Sequence, residues 1–185
     1  METLSGLFQM IKENKETIMN KYIDNVQIEG ARIGKRNFSG YEEELNAEGN
    51  RYFLLYLDTE LAKKMEEDGW NVKYSSHDVE KEKPYIKVFV RFGKYPPKII
   101  LISDGVQTLL DETNIGVLDK TLMQNVDIAI RPFVWEIGGK SGVKAYVKTM
   151  YVIAAPGDFS DKYNDIPMSN QQEHDLGIES DKLPF

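Results

Sequence analysis

The chain has 185 residues, 41% hydrophobic and 29% charged, with a net charge of −7 and no cysteine. That length suits one domain with appendages or two small domains, and a body of about 150 residues can bury most of its apolar surface without covalent staples. The absence of cysteine excludes disulfides, thiolate metal sites and cysteine nucleophiles. No apolar run reaches about 18 residues, so no membrane-spanning helix is expected. The N-terminal METLSGLFQMIKENKE has neither a basic n-region nor a long apolar core. No signal peptide is therefore expected, and the cytoplasm is the expected location.

Taken in chain order, Leu4, Leu7, Phe8, Ile11, Ile18 and Met19 fall on one side at helical spacing, which predicts an N-terminal helical segment over residues 1–20. Residues 22–38 read as strand, with Gly30 and Gly34 as interior breaks of the kind a barrel needs at its corners. The polar stretch SGYEEELNAEGN is a loop, and RYFLLYLD over 51–58 is a central strand. Thr59 is the expected N-cap of a short helix, TELAKKMEEDG, that ends at Gly69. Residues 70–75 form another short strand, followed by a charged loop, SHDVEKEK.

The clearest alternation is PYIKVFVRFG over 84–93. Ile86, Val88, Val90 and Phe92 point one way; Tyr85, Lys87, Phe89 and Arg91 point the other. IILIS and VQTLL are strands joined at Asp104-Gly105, and residues 113–123 suggest a short helix. NVDIAIRPFVWEI and GVKAYVKTMYVIA then form a long hairpin around GGKS. Three strands, a helix and two strands, with short helices inserted, predict a mostly β domain: an OB-type five-stranded barrel over residues 21–155. An unrelated small barrel or sandwich would give similar signals.

Residues 157–185 hold seven acids against Lys162 and Lys182, so −5 of the −7 lies there and −2 remains on the body. From residue 156 onward the chain is rich in Asp, Asn, Gln, Ser, Gly and Pro, the composition of a flexible acidic tail. A near-neutral body can still present one basic face.

Catalytic constellations are poorly represented. His77 and His174 stand in charged segments without a second nitrogen ligand at metal spacing. Acidic pairs such as Glu66-Glu67 lie on a helix face that solvent would cover, and no phosphate loop or nucleophile elbow follows a strand. No enzyme activity, metal or cofactor is expected, although a carboxylate cluster assembled by folding would leave a magnesium-dependent nucleic-acid enzyme open.

The binding signal is stronger. Proteins that hold single-stranded nucleic acid combine a cationic groove with aromatic faces on which bases stack. Tyr85, Lys87, Phe89 and Arg91 supply both on one strand face. Arg131, Phe133 and Trp135 repeat the theme on the first strand of the final hairpin, and Lys144, Tyr146 and Lys148 on the second. Lys35, Arg36 and Phe38, with Tyr41, are plausible additions, as are Trp70, Lys73 and Tyr74. Aromatic residues are also common in strands for packing reasons, and Phe133 or Trp135 would equally suit a place under a helix. A protein-interaction module, such as a phage inhibitor or assembly factor, could use the same face.

The last residues, Ile178-Glu179-Ser180-Asp181-Lys182-Leu183-Pro184-Phe185, resemble the acidic tip of bacterial single-stranded DNA-binding proteins, which ends in aspartates followed by Ile-Pro-Phe. That resemblance implies that Asp181, Leu183, Pro184 and Phe185 dock replication or recombination proteins, and that the acidic tail competes with DNA for the barrel groove. The tip departs from that pattern in carrying Lys182 among its acids. The body segments LAKKMEEDGWNVK, NVDIAIRPFVWEI and GKSGVKAYVKTMYV resemble OB-fold single-stranded DNA-binding proteins of tailed phages over residues 22–153. This implies coating of single-stranded DNA in phage replication, recombination or repair, in the host cytoplasm, without sequence preference. A homodimer is compatible with the edge strands of a small barrel.

Overall fold

A computed structural model describes residues 23–75 and 83–156. The expected N-terminal helix, most of the charged loop after Ser75, and the acidic tail with its tip lie outside the described residues. The elements are β1 (Val26–Ile28), β2 (Arg32–Asn37), β3 (Arg51–Tyr56), α1 (Thr59–Glu67), β4 (Lys73–Tyr74), β5 (Pro84–Val90), β6 (Lys98–Ser103), β7 (Val106–Leu110), a short 3-10 helix (Ile115–Asp119), β8 (Met123–Ile137) and β9 (Lys140–Ala154).

The main hydrogen-bonded path runs β1-β8-β9-β5-β3-β2, with β4 on β5, and the β6–β7 hairpin attached through β6 to β9. β1 and β2 are two parts of one strand bent at Glu29–Ala31, so the first strand touches β8 at one end and β3 at the other. The resulting order (bent first strand, β3, β5, β9, β8, and back to the first) is that of an OB-type Greek-key barrel. The 3-10 helix occupies the place of the OB helix, before the last two strands. No ladder joins β2 to β8, and the barrel is open along that seam. Two bonds span its end, from the Ala31 N–H to the Val126 carbonyl at 2.7 Å and from the Gly30 N–H to the Asp127 carboxylate at 2.9 Å.

The core follows from alternation. β5 buries Pro84, Ile86, Val88 and Val90 and leaves Tyr85, Lys87 and Phe89 half-buried on the outer side. β3 contributes Phe53 and Leu55, β8 contributes Val126, Ile128 and Ile130, and β9 contributes Val143, Ala145 and Val147. Ile115 and Leu118 of the 3-10 helix are fully buried and plug one end. α1 buries Ala62 and Met65, three residues apart on one face. Asp58, not Thr59, is its N-cap, with the carboxylate accepting from the Leu61 N–H at 2.8 Å. Gly34 lies within β2 at the irregularity in the β2–β3 ladder between Ile33 and Arg36, as expected of an interior break, and the Tyr56 ring rests against it. The bend falls at Gly30–Ala31.

Asp119 ties the two ends of the fold together. Its carboxylate accepts from the N–H groups of Phe38 and Ser39 at 2.7 and 2.8 Å, and from the Ser39 hydroxyl at 2.6 Å. Its backbone carbonyl, with that of Thr121, accepts from the Arg36 guanidinium. A cation there meets the carbonyl end of the 3-10 helix, where positive charge is favoured. Replacing Asp119 with Ala strips three charge-assisted or hydroxyl bonds from one part-buried site and should cost about 2–3 kcal/mol in urea unfolding. Ser39→Ala, which deletes only the hydroxyl bond, should cost about 1 kcal/mol. Equal losses in the two variants would contradict this account of the latch.

Candidate nucleic-acid interface

The outer face of the sheet carries a row of aromatic rings set by strand register. Tyr52 of β3 stands opposite Phe89 of β5, Phe89 opposite Tyr146 of β9, and Tyr146 opposite Arg131 of β8. Ring centroids of Phe89 and Tyr146 are 5.8 Å apart and tilted. Phe133 meets Tyr146 edge-on, also at 5.8 Å. These are the separations of interacting aromatic pairs. Phe133 keeps 54% of its surface exposed, so the row ends in a ring open to a ligand. One strand turn along, Tyr56 stands opposite Tyr85, with centroids 6.2 Å apart.

Cations interleave with the rings. Lys87 Nζ lies 3.8 Å from the Tyr52 ring centroid and 5.3 Å from that of Phe89. Burial draws the Lys87 ammonium below the ordinary lysine value, and the nearby Lys73 and Lys35 add to the effect against the opposing pull of Glu43. Glu43, from the loop between β2 and β3, accepts a short hydrogen bond from the Tyr52 hydroxyl and pairs with Lys35 Nζ at 3.1 Å. The Tyr52 bond holds the Glu43 carboxyl below its usual range, with Lys35 contributing. The Lys35 ammonium is raised in turn, by Tyr52 and then Glu43.

Two clefts meet at Phe89 and Lys144. One, of about 190 Å³, is lined by Lys73, Lys87 and Trp135 together with Trp70. The other, of about 520 Å³, is lined by Arg51, Arg91, Phe92 and Tyr146. The β8–β9 hairpin supplies Trp135 and Lys144, and Gly142 lets the indole lie on the neighbouring strand, since a Cβ there would come within 3.1 Å of the ring.

Of the residues singled out from sequence, Tyr85, Lys87, Phe89, Arg91, Phe133, Trp135, Lys144, Tyr146 and Lys73 share this face. Arg131 does too, although its guanidinium donates to the Tyr95 carbonyl at 3.1 Å. Lys35 sits at its rim, paired with Glu43. Lys148 falls at a bulge in the β8–β9 ladder and lines a different cleft, beside Glu29 and Asp127. Tyr41 is exposed on the loop after β2, and Tyr74 donates to Glu66 at 3.0 Å.

Three expectations are corrected. Phe38 is fully buried and stacked on Phe53 with centroids 5.3 Å apart, so no base reaches it. Trp70 is 5% exposed because the segment after α1 pairs with β9 at Val143 and holds the indole in the core, leaving only its edge in the smaller cleft. The Arg36 guanidinium points across the seam to backbone carbonyls and not to the aromatic face. Conversely, Tyr52 and Tyr56 have the outer parity of β3, Tyr52 buried at 4% exposure, and Arg51, opposite Val90 and paired with Glu112 at 3.1 Å, lines the larger cleft; none of the three was singled out. The alternation of Tyr52, Leu54 and Tyr56 against Phe53 and Leu55 was the available signal.

Comparison with known proteins gives one match by family and several by structure. The family model described as “Putative phage ssDNA-binding domain” matches residues 16–183. No curated protein matches the chain. Among solved structures, the single-stranded DNA-binding protein from bacteriophage Enc34 is 15% identical with a TM-score of 0.48, covering 75% of this chain and 89% of that one. The same phage protein in complex with ssDNA is 14% identical with a TM-score of 0.47, covering 71% and 86%. Gp2.5, a single-stranded DNA-binding protein encoded by bacteriophage T7, is 11% identical with a TM-score of 0.36, covering 80% and 96%. The family match spans nine-tenths of the sequence, and the chain belongs to the family of phage ssDNA-binding domains.

Proposed function

We propose that this protein coats single-stranded DNA in phage replication or recombination, and that the strand lies across the outer face of β3, β5, β9 and the β8–β9 hairpin. The row Phe89, Tyr146 and Phe133, threaded by Lys87 and Lys144 and continued by Tyr52 buried beneath Lys87, is the observation that carries this reading. OB folds use the corresponding strands, together with the loops at their two ends, to hold oligonucleotides. Here those loops are residues 38–50 and the Gly138-Gly139 turn. Bases stack on Phe89, Tyr146, Phe133, Trp135 and Tyr85; phosphates meet Lys73, Lys87, Arg91, Arg131 and Lys144. Every base has a π-face, so stacking tolerates any sequence. The protein acts as a binder, not an enzyme. Recruitment of replication or recombination proteins by Asp181, Leu183, Pro184 and Phe185 rests on the resemblance of the tip alone.

Titration with oligo-dT should quench Trp135 fluorescence, and affinity should fall steeply with salt as counterions are released. Tyr146→Ala should weaken binding by about 1–3 kcal/mol, roughly tenfold or more, with a smaller loss, about 1 kcal/mol, in urea unfolding from its ring contacts with Phe89 and Phe133. Wild-type affinity in that variant would move the strand off this face, and the absence of any low-salt binding would leave a protein partner as the occupant.

Lys87 generates a pH dependence. Its lowered value means that it loses its proton before ordinary lysines, which titrate near about 10.4. DNA affinity should therefore begin to fall at a lower alkaline pH than the other lysines alone would produce. Arginine stays protonated throughout, so Lys87→Arg should shift that fall to higher pH. Oligo-dA is the suitable probe, because its bases do not titrate in this range. Coincident profiles would exclude Lys87 as a phosphate contact.

The acidic tail supplies the third test. Deleting residues 157–185 removes a net −5 that can compete with phosphates for the same cations. Affinity for oligo-dT should rise, most of all at low salt. Unchanged affinity would dispose of the competition while leaving the aromatic face intact as the binding site.

A further inference from the structure

The open seam between β2 and β8 has the chemistry of a second contact site. A cleft of about 600 Å³ runs along it, lined by Arg32, Arg36 and Lys83 together with Tyr56, the Gly30–Ala31 bend and residues 122–126. No carboxylate is among its lining residues. Arg32 and Lys83 are exposed and make no ion pair among the described residues. Arg36 is held in place by the carbonyls of Asp119 and Thr121 through Nε and Nη2. Three cations lining one cleft, with no carboxylate among its described lining residues and Asp127 turned to Gly30 and Asn125, suit an anion, and guanidinium groups suit a phosphate.

The cleft is continuous with the aromatic face. Arg32 stands opposite Tyr56, Tyr56 opposite Tyr85 and Tyr85 opposite Lys73, so one row crosses β2, β3, β5 and β4 on the outer side. The Tyr56 ring lies over Gly34: a Cβ there would sit 2.6 Å from Cε2. Only glycine leaves room for this ring to reach across β2 to the seam. At about 3.3 Å per residue, Tyr85 is about 13 Å along β5 from Phe89, a distance that a strand extending past the main face can cover.

We infer that the seam cleft is a second contact site for single-stranded DNA, in which Arg32 and Lys83 take backbone phosphates of the strand after it leaves the face centred on Phe89 and Tyr146. This rests on the reading of that face given above, and oligonucleotide length separates the two. OB folds occupy about 4–16 nucleotides; an oligo-dT of about 6 nucleotides fills the main face, and one of about 30 also reaches the seam.

The test compares wild-type protein with the Arg32→Ala/Lys83→Ala double variant on both lengths. Affinity for the short oligonucleotide should stay within about twofold, and affinity for the long one should drop by about tenfold. The slope of log affinity against log salt should fall by about 1.4 for the long oligonucleotide alone, at about 0.7 per phosphate contact on a single strand. Lys63→Ala/Lys64→Ala, on the exposed side of α1, removes the same charge elsewhere and should alter neither. Wild-type affinity and slope on the long oligonucleotide would overturn the inference, as would an equal loss on both lengths or the same loss in the α1 variant. Failure of the main-face reading looks different: wild-type protein would not bind the short oligonucleotide at all, or Tyr146→Ala would bind it normally.

Discussion

β5 and β9 are joined by only two residue pairs, Val88 with Ala145 and Phe89 with Tyr146, in parallel. Everything the outer face does depends on that junction. One pair points in and is buried; the other points out. Because side chains alternate strictly, burying Val88 and Ala145 compels Phe89 and Tyr146 to meet on the opposite surface. A slip of one residue would place both aromatics in the core and two small apolar residues in water. The energy that fixes the site is thus the energy of the core behind it. The junction is also short. β9 leaves β5 to pair with β6 over Lys98–Ile102, and the divergence on either side of Phe89 opens the two clefts that share it.

A face crowded with lysines repels itself, and the loop between β2 and β3 answers that. Lys35 and Lys73 approach closely enough for their charges to count against Lys87. Glu43 lies among them, held by Tyr52 and Lys35. The ring faces do similar work, since Lys87 rests over Tyr52 and Phe89 and loses less by partial burial than it would over aliphatic carbon. The latch at Asp119 holds the start of the same loop against the barrel end. The part of the fold that presents Glu43 is therefore anchored by bonds far from the aromatic row.

Much of this was legible in the sequence, and the boundary has a physical explanation. The outer residues of β5 and of the β8–β9 hairpin were readable because local alternation alone decides which side they face. The OB order was readable from element order. Phe38, Trp70 and Arg36 misled because their positions are set by tertiary partners: Phe53 for the first, the pairing of residues 69–71 with Val143 for the second, the carbonyls of Asp119 and Thr121 for the third. Tyr52 and Tyr56 were overlooked for the converse reason. In a run as apolar as RYFLLYL, two tyrosines look like inward-facing core until register sets them opposite Phe89 and Tyr85, Tyr52 being buried on the outer side beneath Lys87. The bulge that displaces Lys148 has no signature in a strand of even alternation.

The net charge of −7 misleads for a related reason, since a total says nothing about distance. At physiological ionic strength a charge is felt over about 8 Å. An anion near Phe89 and Lys144 is therefore under the influence of Lys73, Lys87, Arg91 and Lys144, and of Glu48 and Glu112 in the larger cleft, not of the sum over the chain. The acids of residues 157–185 carry most of the net charge, and a charge farther away than that distance leaves the potential at the face largely unchanged. Acidity overall and a cationic binding face are compatible because screening makes electrostatics local. What matters is the arrangement that the barrel imposes on a handful of lysines and arginines.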